Sequence, residues 1–300
     1  MIWIAVLVLL LLALLGAPLF AVLLGAAALG FYTQGSPLAV LHIDIYQLSD
    51  SVVLMALPLF TFAGFLLSES RTADRLVRLS QAAFGWMPGG MAFVALIACA
   101  FFTALTGGYG VTIVALGALL LPALVKAGYP RRFSLGLVTS SGSLGLLLVP
   151  SVPLLIYGII AQQLSQQLAM PAVEIVDLYL AGIGPALLMV VLLYLYCLWA
   201  NREAPVPRQA FRTRELIDAL WEARWELPLP FVVLGGIFSG FLVVSEAAAV
   251  TALYVLFAEV FLYREIPLRR LPGITREAMV MVGGILLILA VAQAFADYLV

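Results

Sequence analysis

Residues 91–125 read MAFVALIACAFFTALTGGYGVTIVALGALLLPALV, thirty-five positions without a charge, broken once at Thr106-Gly107-Gly108-Tyr109-Gly110. Arg71, Arg75 and Arg78 precede the run, and Lys126, Arg131 and Arg132 follow it. Basic residues mark the cytoplasmic flanks of membrane segments, so both ends of the run belong on one side. Two full crossings of a hydrocarbon core take about 40 residues plus a turn, more than the run supplies. The expectation is therefore a re-entrant helical hairpin over 91–125 that enters from the cytoplasm and turns inside the membrane. Its tip falls at Thr106 to Gly110, because each glycine costs about 1 kcal/mol of helix propensity against alanine. Non-helical backbone at membrane depth survives only where protein covers it or where it lines a polar cavity. The tip is thus a candidate site.

The rest of the chain supports a membrane setting. Of its 300 residues 64% are hydrophobic and 10% charged, with a mean hydropathy of +1.15, whereas a soluble domain is about a quarter charged. The chain reads as an all-α polytopic membrane protein with room for roughly 8 to 10 apolar helical segments and no separate catalytic domain. A net charge of −1 and a single lysine, Lys126, exclude a nucleic-acid surface, which needs a basic patch. Cys99 and Cys197 lie in apolar runs without metal-ligand spacing and read as packing residues. No nucleotide-binding loop, metal-ligand cluster or catalytic dyad occurs, so the chain reads as neither an ATPase nor another enzyme. An embedded hydrolase would need a histidine at membrane depth, and the one histidine, His42, sits beside Asp44 in a polar stretch.

Working outward, the basic residues form two further clusters, Arg202, Arg208, Arg212, Arg214 and Arg224, then Arg264, Arg269, Arg270 and Arg276. All four clusters are expected to be cytoplasmic. The stretches 34–50 and 161–177 hold no lysine or arginine but contain Asp44, Asp50, Glu174 and Asp177, and are expected outside. The opening run 2–31 is too long for a signal peptide and lacks its basic start and cleavage site. Gly16-Ala17-Pro18 divides it into two short helices, although one long tilted helix also satisfies it. Residues 1–68 then form first scaffold helices and 69–90 an amphipathic cytoplasmic arm, in which Asp74 and Arg78 are expected to be a solvated pair. Residues 91–160 form the transport region, with the hairpin followed by a helix at 133–160. That helix should be discontinuous, because Thr139 to Ser143 crowds hydroxyls and Pro150 and Pro153 remove backbone donors. Residues 161–200 give an external loop and return helix, and 201–226 an amphipathic linker with Trp221 and Trp225 at headgroup level.

Residues 227–263 match the opening stretch in length and carry a break near Val243 to Glu246, and the segment from Ala278 matches 52–67. The first copy begins outside and the second inside, as an inverted repeat requires. Residues 227–300 are read as the start of a second, truncated repeat, the chain ending where its hairpin and broken helix should follow. Glu246 reads as a helix-capping acid at the external turn.

The order of Leu57-Pro58-Leu59-Phe60-Thr61-Phe62-Ala63-Gly64, Ala100-Phe101-Phe102-Thr103-Ala104-Leu105-Thr106-Gly107-Gly108, Lys126-Ala127-Gly128-Tyr129-Pro130, Gly142-Ser143-Leu144-Gly145 with Pro150-Ser151-Val152-Pro153, and Gly235-Gly236-Ile237-Phe238-Ser239-Gly240 before Ser245-Glu246-Ala247-Ala248 resembles the large membrane subunit of tripartite ATP-independent periplasmic (TRAP) transporters. The resemblance implies an inverted-repeat, elevator-type secondary importer in the bacterial inner membrane that moves organic acids with sodium as coupling ion and no other cofactor. It implies as partners a small four-helix membrane subunit and a periplasmic substrate-binding protein. A carboxylate or anion transporter that needs no binding protein is the alternative.

The resemblance places sodium at Thr103, Thr106, Gly107, Gly108, Gly110, Gly145 and Pro150, where carbonyls and hydroxyls offer a hard cation several oxygens. It places the substrate at Thr112, Ser140, Ser141, Ser143 and Ser151, with helix N-termini facing its carboxylate. The plainer reading of the serines is that their hydroxyls bond back to their own helix. The sequence departs from the family pattern at Gly108-Tyr109-Gly110, where serines are usual, at Val149 in place of the first of two prolines, and at Val244-Ser245 before Glu246.

Overall fold

The computed structural model describes residues 2–35, 37, 39, 52–149, 151–167, 171, 173–202 and 210–299. The stretch holding His42, Asp44 and Asp50, the candidate Pro150 and the basic Arg208 lie outside the described residues. Among the described residues all regular structure is helical. In order these are α1 (Ile2–Leu14), α2 (Leu19–Gln34), α3 (Ala56–Glu69), α4 (Thr72–Phe84), α5 (Gly90–Thr106) and α6 (Tyr109–Lys126). Next come α7 (Arg131–Ser141) with a 3-10 extension Gly142–Leu147, α8 (Val152–Gln167) and α9 (Ile175–Ala200). The last are α10 (Thr213–Glu222), α11 (Pro228–Phe238), α12 (Val244–Phe257) ending in a π turn Ala258–Leu262, and α13 (Leu271–Leu299).

Among the described residues four stretches are long and apolar enough to cross a membrane, Tyr109–Lys126, Ile175–Ala200, Val244–Leu262 and Leu268–Ala296, and α7 with its extension and α8, bent by 41°, make a fifth if the pair is one span. The chain divides into two compact units, Met1–Leu54 with Glu277–Val300, and Met55–Arg276. These units cut across the segments drawn from the sequence, since the second runs from α3 through the arm and hairpin to the start of α13.

In the first unit α1 and α2 are separated at Leu15 to Pro18, where Gly16 takes a φ of +83° that residues with a Cβ rarely adopt. The close approach of α2 to the end of α13 depends on small residues. Ala27 meets Ala294 in a buried cluster, and a Cβ at Gly30 would lie 2.5 Å from the Tyr298 ring.

In the second unit the core is α5. Ala92, Ala95, Ala98, Cys99, Ala100 and Ala104 are all buried, and small residues of this kind let helix backbones approach without hydrocarbon being a driving force. The 3-10 extension and α4 pack on α5, α7 packs on α6, and α3 packs on both α5 and α12. At a rise of 1.5 Å per residue α5 and α6 are roughly 25 and 27 Å long.

One expectation changes at the arm. Arg78 pairs with Glu222 of α10 rather than with Asp74, because α10 packs along α4 and brings an acid from 144 positions away in sequence. Arg75, on the same helix, is buried. Its guanidinium is buried against Glu226 and Glu259, reaches Glu265 at 2.6 Å, and lies 3.9 Å from the Tyr263 ring centroid. Burial works against its charge, but the three glutamates outweigh that and hold its pKa above the ordinary arginine value. Burial, and then the hydrogen bond to Glu226, push the Tyr263 phenol up.

The break expected at Val243 to Glu246 lies instead at Ser239 to Val243, because Gly240, at a φ of +72°, ends α11 early. Glu246 falls in the first turn of α12, and its carboxylate accepts the Val243 N–H at 3.0 Å. It is an exposed capping acid.

Candidate functional site

The hairpin tip is narrower than the sequence implied. α5 runs through Thr106 and α6 begins at Tyr109, leaving Gly107 and Gly108 as the whole turn. Gly107 is left-handed at a φ of +65°, and its N–H donates to Thr103 O at 2.8 Å, closing the helix end. A Cβ there would meet Val152 Cγ2 at 2.6 Å, so only glycine satisfies both backbone and space. Gly108 is extended, at a φ of −121°, a conformation open to any residue, and Gly110 has open space beside it.

Three threonines lie buried at this turn. Thr103 Oγ1 donates to Thr112 Oγ1 at 2.7 Å, and Thr112 donates to Gly108 O at 3.1 Å. Thr106 donates back to Phe102 O at 2.8 Å. Each hydroxyl has one proton and two lone pairs, so these bonds use the protons and leave oxygen lone pairs at Thr103 and Thr106.

The interrupted helix meets the tip. α7 does not break at its hydroxyls, because Ser140 donates to Gly136 O at 2.8 Å, Ser141 to Val138 O at 3.2 Å and Ser143 to Ser140 O at 2.7 Å. Bonds of this kind extend the ladder, and the helix tightens to 3-10 geometry before extended backbone at Leu148. The chain restarts at Ser151, whose carbonyl accepts the Leu155 N–H at 3.0 Å and whose hydroxyl donates to Leu146 O.

Gly145 lies on α5, where a Cβ would be 2.4 Å from Ala100 O and 2.5 Å from Thr103 Cβ. On the opposite side Gly64 of α3 presses on the tip, a Cβ there falling 2.2 Å from Thr106 O. The sequence singled out Gly145 but not Gly64 as part of this site, although Gly64 closes the apolar motif Leu57 to Gly64.

Thus Thr103, Thr106, Gly107, Gly108, Thr112, Gly145 and Ser151 surround one junction. Ser141 approaches it only through the Cys99 thiol. Ser140 lines a separate cavity of about 260 Å³ with Arg132, Phe133, Leu193 and Tyr196. Two helix ends meet two helix starts at the junction. Helix C-termini present carbonyls without partners and N-termini present N–H groups without partners, the former suited to a cation and the latter to a carboxylate. Among the described residues no group of histidine, cysteine, aspartate or glutamate could hold a metal ion.

Comparison with known proteins identifies the family. Residues 4–300 match the family described as the tripartite ATP-independent periplasmic transporter, DctM component. The chain is 32% identical over 287 residues to the isethionate TRAP transporter permease protein DctMQ of Oleidesulfovibrio alaskensis, covering 94% of this chain and 43% of that protein. It is 32% identical over 262 residues to the C4-dicarboxylate TRAP transporter large permease protein DctM of Pseudomonas aeruginosa, covering 86% and 58%. It is 30% identical over 287 residues to the ectoine TRAP transporter large permease protein TeaC of Halomonas elongata, covering 94% and 65%. The chain therefore spans between about two fifths and two thirds of the length of these relatives.

Proposed function

Because this chain belongs to the DctM family of TRAP transporter membrane components, we propose that it supplies the hairpin and broken helix of a sodium-coupled secondary importer of organic acids. Sodium is held at the junction by α5 C-terminal carbonyls, the lone pairs of Thr103 and Thr106, and the backbone near Gly145. The substrate carboxylate faces the N-termini of α6 and α8, near Thr112 and Ser151. The observation that carries this reading is the juxtaposition at Gly107, where an obligate left-handed turn sits on Val152 at the start of α8. An apolar packing turn has no need of buried hydroxyls with spare lone pairs or of two opposed pairs of helix ends.

The protein works in the bacterial inner membrane with a small four-helix subunit and a periplasmic substrate-binding protein, and moves substrate by an elevator motion. The inverted repeat, with α11, α12 and α13 beginning the second copy, belongs to the same reading. Relatives named for C4-dicarboxylate, isethionate and ectoine transport support an organic-acid or similarly small charged substrate.

The test is uptake in proteoliposomes holding the membrane components, measured against sodium concentration with and without the binding protein. Uptake that needs both an inward sodium gradient and the binding protein supports the proposal. Uptake that persists without the binding protein favours the autonomous anion transporter. Uptake indifferent to sodium refutes the coupling.

A further inference from the structure

A second polar centre lies at the arm, outside the hairpin site. Glu226, Glu259 and Glu265 surround one guanidinium, that of Arg75. Glu226 and Glu259 are only 2% and 1% exposed. With every group ionised the cluster would carry two more negative charges than positive around largely buried side chains, an arrangement that is costly without compensation. Glu259 also occupies a π turn at the end of α12, where the helix dipole adds further negative potential.

Hydrogen-bond accounting locates the deficit. Ser70 gives its hydroxyl proton to Leu67 O at 2.9 Å. Thr72 Oγ1 has one proton, but three acceptors lie within reach, namely Ser70 Oγ at 2.8 Å, Glu259 Oε1 at 3.2 Å and Glu226 Oε1 at 3.3 Å. Arg75 serves Glu226 and Glu265, and its Nη2 reaches Glu259 only at 3.5 Å. Tyr263 donates to Glu226 Oε2 at 2.8 Å and the Arg71 N–H to Glu265 Oε2 at 2.7 Å. Glu259 Oε2 is buried and has no partner. Two carboxylates thus compete for one Thr72 proton, and a fourth oxygen receives nothing.

We propose that Glu259, with Thr72 and Glu226, forms a binding site for one proton, distinct from the hairpin junction and independent of the transport reading. A proton on Glu259 lets it donate to Thr72 Oγ1, frees the Thr72 proton for Glu226 or Ser70, and removes half of the surplus charge. A metal ion is a poorer occupant, since it needs several open oxygens and a single carboxylate oxygen here is without a partner. The groups that face Glu259 are Thr72 and Arg75 from α4, Ser70 from the turn before it, Glu226 from the α10–α11 turn, and Tyr263 and Glu265 from the chain after α12. Tyr254 on α12 is turned aside, its hydroxyl donating to Trp225 O at 2.9 Å. A cavity of about 730 Å³ lined by Arg75, Tyr263 and Glu265 gives water a route to the cluster. Because the site ties the arm to the ends of α10 and α12, loss of its proton would loosen that tie.

The test is infrared spectroscopy of the purified permease at pH 7, with thermal melting followed across pH. The expected result is a C=O stretch of a protonated carboxylic acid that shifts in D2O, is lost in Glu259→Gln and is kept in the exposed control Glu277→Gln. A proton bound in the folded state and released on unfolding stabilises the fold at lower pH and is lost as pH rises. Wild-type melting temperature should therefore fall on raising the pH as the band fades, while Glu259→Gln, whose amide still donates to Thr72, stays flat over that range. Absence of the band from the wild type, its survival in Glu259→Gln, or its removal by exchanging choline for sodium at constant pH would each overturn the proposal. The wild-type spectrum decides the first and third points even if the variant folds poorly.

Discussion

The Thr103 hydroxyl donates to the Thr112 hydroxyl at 2.7 Å, linking the two helices of the hairpin beside a turn made only of Gly107 and Gly108. The link continues one step, since Thr112 donates to Gly108 O. Direction matters in such a relay, because the two residues do not lose the same thing when replaced.

Thr103→Val removes one neutral hydrogen bond, worth about 1 kcal/mol net, and leaves Thr112 still bonded to Gly108. Thr112→Val strips the acceptor from a fully buried Thr103 hydroxyl, at about 1–3 kcal/mol for the group left unmatched, while the Gly108 carbonyl keeps the Thr112 N–H at 3.1 Å. Thermal unfolding in detergent should rank Thr112→Val as the more harmful. The double valine variant should be less harmful than the sum of the two singles, because it leaves no stranded hydroxyl. Equal single effects that simply add would show that the bond contributes nothing.

The turn itself makes a contrast between neighbours. Gly107→Ala forces a Cβ into left-handed backbone, about 1–2 kcal/mol on that count alone, and against Val152 Cγ2 at 2.6 Å. Gly108→Ala meets ordinary extended backbone, and Gly110→Ala meets open space. Uptake by the reconstituted complex should be lost in the first, nearly normal in the third and mildly reduced in the second. Gly64→Ala should resemble Gly107→Ala, because its Cβ would fall 2.2 Å from Thr106 O. Near-normal uptake by both Gly64→Ala and Gly107→Ala would mean that the tip is free to move away from its neighbours.

Thr106 separates ligation from packing. Its proton is spent on Phe102 O within its own helix, so Thr106→Ala removes an oxygen with two lone pairs and strands no partner beyond one helical carbonyl that already has its ladder bond. Expression and melting should stay close to wild type, while the sodium concentration giving half-maximal uptake rises severalfold. An unchanged midpoint would remove Thr106 from the cation site.

The sequence reveals the hairpin because composition and charge act together there. A long uncharged run between basic flanks reads as two paired helices, and glycine marks the turn. It does not reveal which glycine is obligatory, since the space beside Gly107 is closed by Val152, which is 45 positions away. The serines of α7 mislead for the opposite reason. A hydroxyl that completes its own helix and one that binds a ligand have the same local sequence, and the difference lies in whether a carbonyl three or four residues back is free. The arm is the least legible part. Its Arg75, Glu226, Glu259 and Glu265 are scattered over 190 positions, and each looks like an interfacial charge until α10 and the end of α12 fold against α4.

That contrast between apparent and actual burial gives the last prediction. Arg75 and Arg78 lie three positions from each other on α4, and both bond to glutamates across a long sequence gap. Arg78 and Glu222 remain half exposed, at 55% and 44%, and exposed pairs of this kind are worth about 0–1 kcal/mol. Arg75 is 9% exposed and pairs with Glu226, Glu259 and Glu265. Removing one member of a buried ion pair costs about 3–5 kcal/mol, because the abandoned charges stay buried. Arg75→Met should therefore unfold well below the wild type, and Arg78→Met should be nearly silent, in melting experiments on the purified protein. Joining Arg75→Met to Glu226→Gln and Glu265→Gln removes both of the abandoned charges and should recover much of the loss. Failure of that rescue would show that Arg75 matters through its stacking on Tyr263 rather than through its charge.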